Sequence, residues 1–225
     1  VDSLKVASPE IIDIPLIRYM AETGKPLIIS TGMASISEID AALNAAFSGK
    51  TNEVILLKCT SAYPAPLSAM NLGAIKRLRD AFGIEVGLSD HSLGTLAPII
   101  AVSLGARVIE KHVTLNRDAG GIDSDFSLEP TEYADMVKQT NQVLVTLGDK
   151  VGQTKEESVA AQHRRSLYTV KRIKQGEIFT SENVKSIRPG SGLKPEFYPI
   201  VLNSVAAIDI AAGEPLDLNM VVWDI

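Results

Sequence analysis

Gly87-Leu88-Ser89-Asp90-His91 and Val108-Ile109-Glu110-Lys111-His112 are two strand-like runs that each end on a histidine, with an acidic residue one or two places before it. In a βα repeat, neighbouring parallel strands deliver their C-terminal residues to one rim. Two neutral imidazoles meeting there can hold a divalent metal and leave positions open for substrate. Asp90 and Glu110 are then candidates to orient the rings or to move protons. The alternative is a pair of unrelated, partly buried histidines bonded to backbone.

The sequence around these runs repeats their pattern. Strand candidates at residues 3–6, 26–30, 54–59, 85–88 and 107–112 alternate with amphipathic, helix-length stretches at 11–22, 36–47, 69–82, 96–104 and 130–147. Ser35 followed by Glu38 has the spacing of a capping box. Such alternation predicts an α/β fold of parallel strands with crossover helices. Five βα units fit either an open doubly wound sheet or the later part of an eight-fold barrel, and no G-x-G-x-x-G follows the first strand to support dinucleotide binding. All five strand ends carry polar groups: Lys5 and Ser8, Ser30 and Thr31, Thr60 and Ser61, Ser89 to His91, Glu110 and His112. That is the layout of a barrel's catalytic face. For any single Ser or Thr, capping the next helix is the plainer role.

Residues 1–150 are expected to form this α/β domain. The polar stretch 151–165 reads as a linker or a short exposed helix. Residues 166–225 read as a small β-rich domain with an internal repeat. In that repeat Ile173, Gly176-Glu177 and Val184 recur as Ile210, Gly213-Glu214 and Val221 at the same spacing. A unit this small is near the lower limit for independent stability and is expected to lean on a partner surface.

Composition narrows the function. The net charge is −5 and carries no basic footprint of the kind nucleic-acid binding requires. No apolar run approaches the roughly 20 residues of a membrane span, and no leader with a cleavage site is present, so a cytoplasmic protein without a membrane partner is expected. The single cysteine, Cys59, excludes an internal disulfide framework and reads as a buried, inert thiol in an apolar run. The chain opens without Met on a strand-like Val1-Asp2-Ser3-Leu4-Lys5-Val6, which reads as a fragment.

Four ordered stretches resemble the sialic acid synthase family. They are Gly24-Lys25-Pro26-Leu27-Ile28-Ile29-Ser30-Thr31-Gly32-Met33, Leu57-Lys58-Cys59-Thr60-Ser61-Ala62-Tyr63-Pro64-Ala65-Pro66, Gly87-Leu88-Ser89-Asp90-His91-Ser92 and Val108-Ile109-Glu110-Lys111-His112. Ile187-Arg188-Pro189-Gly190 and the two Gly-Glu turns resemble the family's antifreeze-like domain. Thr60-Ser61-Ala62-Tyr63 and the run from Gly120 to Pro130 look most like the pseudaminic acid branch. The N-acetylneuraminate and legionaminate branches are the near alternatives, where Pro is expected at Ile122 and His at Ser124.

The resemblance implies the C-terminal five βα units of a TIM (β/α)8 barrel plus a small antifreeze-like (SAF, β-clip) domain. It also implies that the first three barrel strands are missing, so the chain alone is expected to be poorly soluble and inactive. The implied reaction condenses phosphoenolpyruvate with an N-acylated amino sugar to a nine-carbon sugar acid and releases phosphate. The implied cofactor is a divalent metal, Mn²⁺, on His91 and His112. Lys5, Ser8, Ser30, Thr31, Ser61 and Ser89 would line the phosphoenolpyruvate side, and Tyr63, Asp123 and Arg188 would meet the sugar. Glu110 would move a proton or orient His112, and Asp90 would orient a ring or act as a catalyst. The implied assembly is a homodimer in which Arg188 reaches the partner's site. Without the resemblance Lys5 and Arg188 read as solvated, Tyr63 as cover for the rim and Asp123 as a turn residue. His163 reads as an exposed linker residue. Competing functions are a metal-dependent aldolase or isomerase on a similar barrel, and a non-enzymatic glycan- or ice-binding C-terminal module.

Overall fold

The computed structural model describes residues 1–149 and 151–223. Lys150 and Ile225, the outer bounds of the two expected domains, lie outside the described residues. The chain forms two compact units that divide after Asp149.

The first unit is a parallel half-barrel sheet of five strands in sequential order: β1 (Leu4–Val6), β2 (Leu27–Ser30), β3 (Val54–Cys59), β4 (Val86–Asp90) and β5 (Ile109–Lys111). Helices α1 (Ile14–Ala21), α2 (Ile36–Phe47), α3 (Ala74–Phe82) and α4 (Leu96–Ser103) make the crossovers, and α5 (Pro130–Leu147) follows β5. The α/β reading and the five expected strands are thus found in the sheet. Because strand side chains alternate between faces, Val6, Leu27, Ile29, Leu56, Val86 and Leu88 share one face. They pack with Ile17, Ala21, Ile39, Ala42, Ile75, Leu78 and Ala101 of the helices in one buried core. The opposite face carries Lys5, Ser30, Cys59, Ser89 and Glu110.

Local chemistry sets the helix ends. Ser35 Oγ accepts from the Glu38 N–H at 3.3 Å and Glu38 Oε2 accepts from the Ser35 N–H at 2.7 Å, the capping box read from the sequence. α1 begins later than expected, at Ile14. Asp13 Oδ1 takes the Leu16 N–H at 3.0 Å, Pro15 suits a first turn, and Ser8–Ile12 is a short 3₁₀ turn. Gly87 of β4 lies against the backbone leading into β5: a Cβ there would lie 2.3 Å from the Val108 carbonyl oxygen.

The second unit pairs β6 (Ser166–Thr169) with β7 (Val184–Ile187) and β8 (Val205–Ala206) with β9 (Val221–Val222), both antiparallel. The sequence repeat is a structural one. Ile173 and Ile210 exchange backbone hydrogen bonds at 3.0 and 2.8 Å. Gly176 and Gly213 both sit at φ +85°. Glu177 Oε2 accepts from the Lys174 N–H and Glu214 Oε2 from the Ala211 N–H, each at 2.9 Å. Leu167, Ile173, Phe179, Val184, Ile210 and Val221 fill the centre. The polar stretch before it contains one short exposed helix, α6 (Glu157–Ala161), and His163 is exposed. Among the described residues no helix is long and apolar enough to cross a membrane.

Candidate active site

Register places the polar residues of the sheet side by side. Ser89 pairs with Glu110 and Asp90 with Lys111, and the next residues along the two strands are His91 and His112. Alternation returns both histidines to the face of Ser89 and Glu110. Their ring centroids are 5.2 Å apart at an interplanar angle of 70°.

Each ring has its own support. His91 Nδ1 lies 3.2 Å from the Thr60 carbonyl oxygen, and since a carbonyl only accepts, Nδ1 carries the proton. The Nε2 lone pair is then free, the arrangement a metal-ligating or proton-accepting imidazole requires. His112 Nδ1 lies 3.8 Å from Asp123 Oδ2. Tyr63 lies across His91 with centroids 4.2 Å apart, and Phe126 packs on His112 at 5.0 Å and Tyr63 at 6.0 Å. Asp123 adopts the left-handed conformation at φ +67°, and its carbonyl accepts from Ser127 Oγ at 2.7 Å. It is therefore both the turn residue expected from its loop and a carboxylate facing the rings.

A second cluster lies at the ends of β1, β2 and β3. Lys5 Nζ donates to Ser30 Oγ at 2.9 Å and lies 3.6 Å from Glu110 Oε2, while Ser89 Oγ donates to Glu110 Oε1 at 2.7 Å. Glu110 thus joins the two clusters by accepting from one strand-end hydroxyl beside one strand-end cation. Ser8 Oγ accepts from the Gly32 N–H at 3.0 Å, and a Cβ on Gly32 would fall 2.2 Å from Ser61 Oγ and 2.7 Å from Ser8 Oγ. Glycine at that position keeps open a cradle lined by two hydroxyls. Thr31 is turned away: its Oγ1 donates to the Leu57 carbonyl at 3.1 Å.

Asp90 requires a correction. Its neighbour His91 faces the cluster, so alternation turns Asp90 toward the helices. There Oδ2 takes Lys111 Nζ at 2.7 Å and Oδ1 takes the Ser92 N–H at 2.8 Å, with Asp90 and Lys111 side chains 0% and 1% exposed. Both oxygens are committed away from the rings, so Asp90 bonds no imidazole directly. Cys59 also differs from its reading. It is buried, yet Sγ lies 3.8 Å from both His91 Nδ1 and Ser61 Oγ. Burial pushes the thiol up, but hydrogen bonding to His91, Ser8 and Ser61 outweighs it and brings Cys59 to about 7. For His91, burial disfavours the imidazolium, and Cys59 and the Thr60 carbonyl together raise it above its ordinary value.

Phe126, Gly32 and the Thr60 carbonyl were not singled out from sequence. Period two places Cys59 on the face of Ser61, a signal available without coordinates. Arg188 is exposed in the second unit.

Comparisons with known proteins agree with this layout. The NeuB family model matches residues 1–152, and the SAF domain model matches residues 164–222. The chain is 46% identical over 215 residues to pseudaminic acid synthase of Campylobacter jejuni, covering 94% of this chain and 62% of that protein. It therefore spans about three fifths of the length of that relative. Among solved structures, N-acetylneuraminic acid synthetase from Leptospira borgpetersenii superposes with a TM-score of 0.67 at 39% identity, over 71% of this chain and 56% of that one. Spore coat polysaccharide biosynthesis protein SpsE from Bacillus subtilis matches with a TM-score of 0.63 at 32% identity, over 99% of this chain and 68% of that one. A half-barrel that brings two histidines, a glutamate, a lysine and strand-end hydroxyls to one rim, followed by a SAF domain, belongs to the NeuB family.

Proposed function

We propose that this chain carries part of the active site of a synthase that joins phosphoenolpyruvate to an N-acylated amino sugar, giving a nine-carbon sugar acid and inorganic phosphate. The observation that carries the reading is Glu110, which stands between a cationic, hydroxyl-lined cluster and a pair of imidazoles on the same sheet face. Such an arrangement suits one highly charged reactant beside one carbonyl reactant. The similarity to pseudaminic acid synthases favours that product over N-acetylneuraminate or legionaminate.

In this reading Lys5 supplies charge to the phosphate or carboxylate of phosphoenolpyruvate, and Ser8, Ser30, Ser61 and Ser89 donate hydroxyl hydrogen bonds. His91 and His112 have the donor set for a divalent cation, Mn²⁺ by resemblance: His91 is fixed as the Nδ1–H tautomer with Nε2 free, and His112 faces it. Bound there, such an ion supplies Lewis-acid polarisation of an aldehyde oxygen. Tyr63 and Asp123 hold the open-chain sugar, and Arg188 of the SAF domain contacts its N-acyl group in a partner subunit of a homodimer.

The enol carbon of phosphoenolpyruvate forms a bond to the sugar's aldehyde carbon, whose oxygen becomes a hydroxyl. Water adds to the resulting oxocarbenium carbon and loses a proton, and the tetrahedral intermediate collapses with departure of phosphate. Glu110 is placed to take or return a proton in that sequence. Phosphate release by the protein that carries this chain, with phosphoenolpyruvate and a panel of N-acylated amino sugars, tests the reading. An aldolase or isomerase would transform a sugar without consuming phosphoenolpyruvate.

A further inference from the structure

Of the ion pairs among the described residues, Asp90–Lys111 alone is withdrawn from water on both sides, and the reaction proposed above gives it no part. Burying two opposite charges is costly and is a weak source of stability compared with well-packed apolar residues of the same volume. Its position is the informative feature. Asp90 and Lys111 are register partners, and each immediately precedes one of the two histidines. The pair also closes through the backbone on the far side of His91. Asp90 Oδ1 takes the Ser92 N–H at 2.8 Å, and Lys111 Nζ donates to the Ser92 carbonyl. Residues 90 and 92 are thereby tied to each other and to Lys111, with His91 between them.

We infer that Asp90 and Lys111 are positioning residues: their buried clasp on the helix side of the sheet sets the separation and facing of His91 and His112 on the other side. The mechanism is the pleat itself. Side chains one residue apart point to opposite faces, so a bond between residues 90 and 111 fixes the strand ends from which residues 91 and 112 project. Hydrogen bonds on the site side complete the hold on each backbone. The His91 carbonyl accepts from the Ala65 N–H and the His112 carbonyl from the Leu128 N–H, both at 2.9 Å. Those two bonds hold each strand end singly; the clasp ties one to the other from the helix side, beyond the β4–β5 ladder and the Ser89–Glu110 bond on the site face.

The inference rests on the metal pair proposed above, and Mn²⁺ binding to the protein that carries this chain, followed by electron paramagnetic resonance, tests it. The double variant Asp90→Leu with Lys111→Met removes both charges, leaves the net charge unchanged and fills the space with apolar side chains. It is expected to fold with a lowered Tm, because the buried Ser92 N–H and carbonyl lose their partners, while Mn²⁺ affinity falls about 10- to 100-fold, the range seen when outer groups that orient ligands are lost. Spin-echo spectra should show the coupling of one imidazole nitrogen in place of two. A folded double variant that keeps both couplings and wild-type affinity overturns the inference. If the double variant does not fold, Asp90→Asn decides, because it keeps the shape and the acceptor for the Ser92 N–H but loses the charge facing Lys111. Unaltered affinity there overturns the inference and a loss of about 10-fold supports it. An unaltered chain with no imidazole coupling overturns the metal pair itself, and the unaltered chain's own spectrum tells that result apart from failure of the clasp.

Discussion

Replacing Gly87 by alanine perturbs the sheet where the candidate site is anchored, with no reactive group touched. The added Cβ would sit 2.3 Å from the Val108 carbonyl oxygen and 2.8 Å from Leu57 Cδ2, whereas real Cβ contacts essentially never fall under 3.0 Å. The leucine methyl can turn aside, but the carbonyl belongs to the backbone leading into β5 and must move by about 0.7 Å to reach that limit. That same carbonyl accepts the Leu88 N–H at 2.9 Å. Overpacking of this kind costs about 1–3 kcal/mol, and weakening the hydrogen bond adds about 0.5–1.5 kcal/mol. A total of about 1.5–4.5 kcal/mol lowers the Tm of a unit this size by roughly 3–18 °C. Calorimetry of Gly87→Ala checks the figure. A Tm within about 2 °C of the unaltered chain would refute the close approach of β4 and β5.

Two further outcomes follow from single residues. The Glu132 carboxyl is held down to about 2 by its hydrogen bond from Arg117 and by the Glu129 N–H, against an ordinary 4.5. Its stabilising effect is therefore complete above about pH 4.5 and is lost as pH falls toward about 2. Arg117→Met should flatten the loss of stability across that window, and an unchanged acid titration of stability would contradict the pairing. Ser92 Oγ is buried with no hydrogen-bond partner among the described residues, so Ser92→Ala removes an unsatisfied hydroxyl and should leave stability unchanged or raise it by up to about 1 kcal/mol. A loss of more than that in urea unfolding would show that the hydroxyl has a partner.

Much of this architecture is legible in the chain because short apolar runs with polar ends alternate with amphipathic stretches, and that periodicity reflects burial directly. The departures have local causes. The strand candidate at 85–88 omits Ser89 and Asp90, which close β4. In the sheet those residues pair with Glu110 and Lys111, partners distant in sequence. The amphipathic stretch at 11–22 begins three residues before α1, whose first turn is marked by Asp13 and Pro15. Asp90 was grouped with His91 because they are adjacent in sequence, and in a strand adjacency means opposite faces. The apolar run around Cys59 reads as inert packing, while the same alternation puts the thiol beside Ser61. The approach of Thr60's carbonyl to His91, and of Phe126 to His112, depends on loop paths that no local pattern specifies.

The most direct test of the account is phosphate release by the protein that carries this chain, supplied with phosphoenolpyruvate, an N-acylated amino sugar and Mn²⁺. The account predicts phosphate only when both organic substrates are present, in equal amount to a nine-carbon acid, and its loss in Glu110→Gln and His91→Ala variants that remain folded. Consumption of the sugar with phosphoenolpyruvate untouched, or phosphate release that survives in those variants, would contradict it.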